Sequence, residues 1–266
     1  MADGANAGKV ARMKRRDWGR AAGITAIPLL LALSASPAYA VTSVRTDDGG
    51  SLSATVEPRQ SVSAARSAPG PCIDSAYSLL GGKWKQTLNW RYQSSSKPAG
   101  LNGAKVLKVI KRSFDNITGA RNDCGLADTV SATAQYLGTT MSKPNVYKSG
   151  RCSAKDGQNV VGFGRLPNGI LAVTCIRYGN NSITEADVRI NLNYDWALTV
   201  GACHFWQELL EPTVTHEIGH MFGLGHVGEK KHGRLTMSTM SDGPCSNAES
   251  TLGWGDVRGL RHLYPL

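Results

Sequence analysis

Apolar residues recur along this chain at two spacings, and the spacing assigns most of its elements. Val106, Val109, Ile110 and Phe114 fall three or four residues apart, which predicts a helix from about Gly103 to Phe114. Strands are predicted at Thr87 to Tyr92 and Ser131 to Leu137, where β-branched and aromatic residues concentrate. Val160 to Phe163 and Ile170 to Arg177 flank Leu166-Pro167-Asn168-Gly169, whose turn residues predict a hairpin, and Val188 to Leu192 alternates as a further strand. A second helix is predicted over Pro212 to Phe222, because proline is tolerated in a first turn and Gly223 supplies a stop. Val257, Leu260, Leu263 and Tyr264 share one side of a final helix, Asp256 to Tyr264. The fold class expected is α+β, a mixed twisted sheet with helices.

The N-terminal pattern is different. A basic stretch from Lys9 to Arg20 precedes an apolar run from Ala21 to Leu33 and then Ser34-Ala35-Ser36-Pro37-Ala38-Tyr39-Ala40. Small residues at Ala38 and Ala40 suit a signal peptidase, so residues 1–40 are expected to be an export signal cleaved after Ala40. The apolar run falls short of the roughly 20 residues that a bilayer core requires, so no membrane anchor is expected to remain after cleavage. Arg15-Arg16-Asp17-Trp18 is similar to a twin-arginine signal. Residues 41–70 are rich in Ser, Ala, Thr, Arg and Gly, and are expected to form a disordered linker or short propeptide; residues 71–266 are expected to form one folded domain.

Charge changes the picture little. The formal net charge is +10, but part of it belongs to the signal, and residues 41–266 carry 24 basic and 18 acidic side chains. Such an excess is read as a solvated basic surface rather than as a site for anionic cell-wall polymers. No nucleic-acid partner is expected. All six cysteines, Cys72, Cys124, Cys152, Cys175, Cys203 and Cys245, follow the signal, and an even number in an exported chain implies three disulfides. Spacing does not choose among the possible pairings; pairing in chain order, Cys72 with Cys124, Cys152 with Cys175 and Cys203 with Cys245, is the local choice. No CxxC pair occurs, which disfavours thiolate zinc ligation.

The chemistry lies on the second helix, in His216-Glu217-Ile218-Gly219-His220-Met221-Phe222-Gly223-Leu224-Gly225-His226, a full HExxHxxGxxH run. His216 and His220 are four apart, so their rings stand one turn above each other on one helix face and converge on a single metal. Glu217 is adjacent but not collinear, so its carboxylate reaches an activated water without ligating. Gly223 lets the chain turn sharply and return His226 as the third ligand, which leaves a fourth position open. With this chain's own residue frequencies the full run arises by chance about once per hundred thousand such chains, so coincidence is set aside. His204, His232 and His262 have no partner at ligand spacing and are read as surface or structural.

This run resembles the metzincin zinc proteases, and its details are similar to the matrixin branch. The resemblance implies a methionine turn, for which Leu235-Thr236-Met237-Ser238-Thr239-Met240 is the matching segment; Met237 is aligned with the methionine beneath the metal, with Met240 the other candidate. Glu185-Ala186-Asp187-Val188-Arg189-Ile190 resembles the edge strand along which such proteases lay an extended substrate, and residues 252–264 resemble the C-terminal helix. The pattern departs from the family in three places. No PRCGxPD-like propeptide motif occurs; Pro71-Cys72 is the nearest fragment, and a zinc-binding role for Cys72 would leave an odd number of cysteines. Thr239 stands where astacin-like branches have a ligating tyrosine, so three protein ligands are expected. No run that would hold calcium or a structural zinc is found, and one catalytic zinc is assigned.

The resemblance implies a secreted, monomeric zinc metalloendopeptidase acting on protein or peptide substrates, with a zinc-activated water and Glu217 as general base and then acid. The alternative is a secreted zinc-stabilised binding or structural module without proteolytic activity. Glu217 favours the enzyme, because a purely structural zinc normally has four protein ligands and no use for a carboxylate outside the ligand set.

Overall fold

In a computed structural model that describes residues 42–45, 51–58 and 68–266, the strands and helices follow one another as β1 Thr42–Arg45, β2 Ser51–Pro58, β3 Ser78–Leu79, β4 Leu88–Tyr92, α1 Gly103–Thr118, β5 Ala134–Thr139, β6 Val160–Gly164, β7 Ile170–Gly179, β8 Ser182–Asn191, β9 Trp196–Ala197, β10 Glu208–Leu209, α2 Leu210–Met221, β11 Leu224–Gly225, α3 Glu229–His232 and α4 Trp254–Leu263. The expected signal, residues 1–40, lies outside the described residues.

The main sheet has seven strands in the order β1-β2-β7-β8-β6-β4-β5. β5, β4, β6 and β8 run parallel, β7 is antiparallel to β8, β2 is antiparallel to β7, and β1 is antiparallel to β2. The class is thus mixed α/β with few helices, as the apolar spacing predicts. From Ala172 onward the side chains of β7 alternate: Ala172 and Ile176 join the main core, while Val173 and Cys175 join a second, smaller cluster with Val146 and Leu166; before that the pattern is broken, Leu171 joining the main core and Ile170 the smaller cluster, where the pairing with β2 shifts register.

Two sequence expectations are corrected by this topology. Val160 to Phe163 and Ile170 to Arg177 do not form a hairpin, because β8 lies between β6 and β7. The hairpin is instead β7 to β8, closed by Asn180 and Asn181 at φ 51° and 56° between the paired residues Gly179 and Ser182. Two consecutive positive φ values suit a two-residue turn whose twist matches the strands, and asparagine tolerates them. Residues Glu185 to Ile190, expected at the edge, therefore belong to an interior strand, and β7 lies outside them. Within residues 41–70, expected as a disordered linker or propeptide, β1 and β2 are strands. The reason is visible in Leu52, Ala54 and Val56, which alternate with Ser53, Thr55 and Glu57 at the period of a strand.

Helix α1 runs one turn past its predicted end, because Ile117 continues the apolar stripe and is fully buried. Asn102 caps it, accepting from Lys105 N at 3.1 Å. Phe114 on α1 stacks on Trp90 of β4 at 4.1 Å between centroids, fixing this helix to the sheet. α1 also holds α2: Arg112 pairs with Glu211, and the buried Asn116 donates to Thr215 Oγ1 and, at 2.7 Å, to Ser250 O.

Three disulfides join Cys72 to Cys124, Cys152 to Cys175 and Cys203 to Cys245, which is the pairing in chain order. Cys72 is thereby committed to a bridge. No helix among the described residues is long and apolar enough to cross a membrane. The disulfides are compatible with an extracellular protein.

Candidate metal centre

Helix α2 carries the site and has almost no solvent face. Leu210, Val214, Ile218 and Met221 are fully buried on its apolar stripe, and His216, Glu217 and His220 are buried as well. Its C-terminal carbonyls find partners from distant segments: Trp84 Nε1 donates to Met221 O at 2.8 Å and Tyr264 Oη to Phe222 O at 3.1 Å. Gly223 follows at φ +93°, where an added Cβ would lie 2.2 Å from Gly82 O, so position 223 demands glycine for both conformation and space. The chain then pairs as β11 with β3, Leu224 opposite Leu79, and this short ladder delivers His226.

The result is a convergence of three imidazoles. The Nε2 atoms of His216, His220 and His226 lie 2.9 to 3.0 Å from one another. His216 Nδ1 donates to Thr236 O at 2.6 Å and His220 Nδ1 donates to Leu224 O at 2.8 Å, which leaves each Nε2 lone pair directed at the shared centre. Burial keeps the rings neutral: it lowers His216 to about 4 and, with the neighbouring His216 ring adding to it, His226 to about 3, while His220 also falls well below the usual histidine range. Neutral rings with protonated Nδ1 cannot donate through Nε2, so at least two of these lone pairs face each other with no proton between them. A cation that accepts nitrogen ligands resolves this, and it is the donor set expected of a zinc site with three protein ligands. These are also the residues among those described whose donor atoms cluster as a metal site would require.

Glu217 is fully buried beside the cluster. Thr174 Oγ1, on β7, bonds both Glu217 O at 3.1 Å and Glu217 Oε2, while Oε1 has no hydrogen-bond partner among the described residues. Burial pushes its carboxyl up to about 8, with the Thr174 hydrogen bond opposing this. A buried carboxylate oxygen without a partner is costly in a purely structural setting and suits a group whose partner is a water or substrate proton.

The segment from Leu235 to Met240 packs against α2 through Met237. Met237 is buried against α2, and a Cβ at Gly219 would meet its Sδ at 2.4 Å; Met240 is only partly buried. Asp256 on α4 holds the turn from below, accepting from Thr236 N at 3.0 Å, Met237 N at 3.2 Å and Gly253 N at 2.9 Å. Thr239 donates to Val227 O at 2.9 Å, on the strand of chain after His226. The remaining histidines stand apart: His232 pairs with Asp74 at 2.8 Å, His204 stacks on Trp206, and His262 lies beside Tyr77.

Sequence reasoning missed Thr174, Asp256 and the carbonyls of Thr236 and Leu224. Only Thr174 left a trace, as the one hydroxyl in the apolar run Ile170-Leu171-Ala172-Val173-Thr174-Cys175-Ile176. No protein-family model matches this chain, and no curated protein matches its sequence.

Proposed function

We propose that this chain is a secreted zinc-dependent endopeptidase of the metzincin type, resembling the matrixin branch. The observation that carries the reading is the meeting of three Nε2 atoms within 3.0 Å of one another beside a buried, non-ligating Glu217. His216, His220 and His226 would hold one zinc ion, with Met237 packed below α2 as a support and not a ligand. Bound there, zinc supplies Lewis acidity toward a peptide carbonyl and toward water.

The protein's own part is proton handling. Glu217 accepts a proton from the attacking water and returns it to the leaving amine nitrogen as the C–N bond breaks. Its burial favours the neutral form, so the carboxylate is a stronger base than an exposed one, and Thr174 restrains its rotation. No side chain forms a covalent intermediate in this scheme. The three disulfides support a location outside the cell.

The test compares Glu217→Ala with His226→Ala in purified protein supplied with zinc. Glu217→Ala should retain metal and thermal stability while peptide hydrolysis falls roughly 100-fold or more. His226→Ala should lose zinc and, with it, the folding free energy that the metal contributes. If the parent holds stoichiometric zinc, cleaves no peptide of a random library, and Glu217→Ala changes nothing, the zinc-stabilised binding module replaces the peptidase.

A further inference from the structure

We propose that two adjoining cavities along the segment from Lys83 to Arg91, which leads into and includes most of β4, form a binding site for an acidic polysaccharide. The site is separate from the metal centre and does not depend on the peptidase reading.

The cavities enclose about 510 and 460 Å³ and share Trp84, Gln86 and Thr87 as lining. Each falls within the roughly 300–1,000 Å³ of ligand-sized clefts. None of the three clustered histidines lines either cavity, nor does Glu217 or Thr174. The shared wall is fixed by contacts that also end α2. Trp84 Nε1 donates to Met221 O at 2.8 Å, Trp84 N donates to Tyr264 Oη at 2.9 Å, and Tyr264 lines the first cavity. Both rings are buried, so this wall is formed before any ligand arrives.

The charged groups select an anion. Lys83 and Lys85 line the first cavity and Arg91 the second, and no carboxylate lines either. None of these three cations pairs with a carboxylate among the described residues. Lys83 Nζ donates to Leu263 O at 2.8 Å and Arg91 Nη1 to Leu137 O at 3.2 Å, which leaves each cation with further N–H groups to give. Asp156 accepts from Gln158 Nε2 at 3.3 Å but does not itself line the cavity. A recess lined by one sign of charge focuses its field on the opposite sign. The basic excess of the sequence is spread over the whole surface; here three of its cations gather where no acid lines the wall.

The neutral groups narrow the choice. Gln86, Asn89 and Thr184 stand exposed along the second cavity, each able to donate and to accept. An apolar ligand would leave such groups without partners. Hydroxyl-rich sugar units carrying acid groups match carboxamides and hydroxyls interleaved with cations, and two cavities in succession suit a polymer better than a single small anion. Single-stranded nucleic acid binds by stacking its bases on accessible aromatic faces, and the rings here, Trp84 and Tyr264, are buried.

The experiment titrates the chain from Val41 to Leu266, by calorimetry, with a polygalacturonate oligomer, amylose of similar length, a single-stranded oligonucleotide of similar charge, and inorganic sulfate. Polygalacturonate should bind most tightly. Lys85→Gln with Arg91→Gln should weaken it roughly tenfold or more. Gln86→Ala with Asn89→Ala, which leaves the charge unchanged, should weaken it as well. Lys230→Gln with Lys231→Gln removes equal charge from α3 and should change it by less than about twofold. In the parent, the bound oligomer should slow hydrogen exchange in residues 83–91 and 157–159, a measurement that needs no variant. Equal loss in the α3 variant, or none in Gln86→Ala with Asn89→Ala, would reduce the site to diffuse charge and overturn the proposal. So would the absence of polygalacturonate binding, tighter binding of the oligonucleotide, amylose or sulfate, or exchange unaltered in both segments.

Discussion

The sulfur of Met237 occupies the space that a side chain at Gly219 would need, 2.4 Å from where its Cβ would lie. Glycine is otherwise a poor residue in the middle of a buried helix, costing about 1 kcal/mol relative to alanine. Here the missing methyl lets Met237 press against α2 at Gly219, next to His220. Gly219→Ala should therefore destabilise, because overpacking of about 1–3 kcal/mol outweighs the propensity gained. In a Met237→Ala background the same change should be neutral or stabilising. A double-mutant cycle by urea denaturation measures this coupling, and additive effects would show that the contact carries no energy. Met237→Leu, which keeps volume, should retain zinc and most activity.

Thr174 should matter to rate and not to metal. Thr174→Val preserves shape but removes the donor to Glu217, which leaves a buried carboxylate less satisfied by about 1–3 kcal/mol. Hydrolysis should fall roughly tenfold or more with zinc content unchanged, while Thr174→Ser should restore most of it. An unaltered kcat in Thr174→Val would dismiss the hydroxyl as a positioning group.

The disulfides should differ in worth by the length of chain they close. Cys72 and Cys124 are separated by 52 residues and Cys152 and Cys175 by 23, so the first bridge restricts the unfolded chain more, by about 0.7 kcal/mol in the chain-entropy account. Each should be worth roughly 3–4 kcal/mol. Paired Cys→Ser variants, compared by denaturant midpoint, test the order; the reverse ranking would show that native-state packing around the bridges dominates. Mass measurement under denaturing conditions should find no alkylated cysteine before reduction.

Asp187 gives a pH dependence whose sign can be worked out. Burial, with Glu185 and Asp156 adding to it, pushes its carboxyl up to about 8, against hydrogen bonds from Asn145 and Val160 that lower it. In the unfolded chain it loses its proton near 4. Between those values the folded state holds a proton that the unfolded state has released, so stability should fall as pH rises through that window. Asp187→Asn should remove this slope. Subtracting the variant's pH profile from the parent's isolates Asp187 from the histidines, and a difference that does not vary between pH 5 and pH 8 would contradict the assignment.

What could be read from the sequence was whatever depends on spacing along the chain. The helical positions of His216, Glu217 and His220 follow from a period, and the stop at Gly223 follows from steric freedom. The strand order was not legible, because Leu166-Pro167-Asn168-Gly169 and Asn180-Asn181 both look like turns and only pairing decides which closes a hairpin. The edge position that the resemblance implies for Glu185 to Ile190 fails because a short likeness of sequence does not show which strand pairs outside it. Thr55 illustrates the limit most sharply: residues 41–70 have the composition of a linker, and nothing local announces that Ser51–Pro58 has β7 to pair with, more than a hundred residues away in sequence.

Asp256 has a temporal consequence. It follows all three histidines of the cluster in the chain, yet its carboxylate fixes the backbone of Thr236, whose carbonyl orients His216. Synthesis runs from the N-terminus, so the three imidazoles are made before the residue that aligns the first of them. Until Asp256 has been added and has reached the backbone of Thr236, His216 lacks the support that sets its ring.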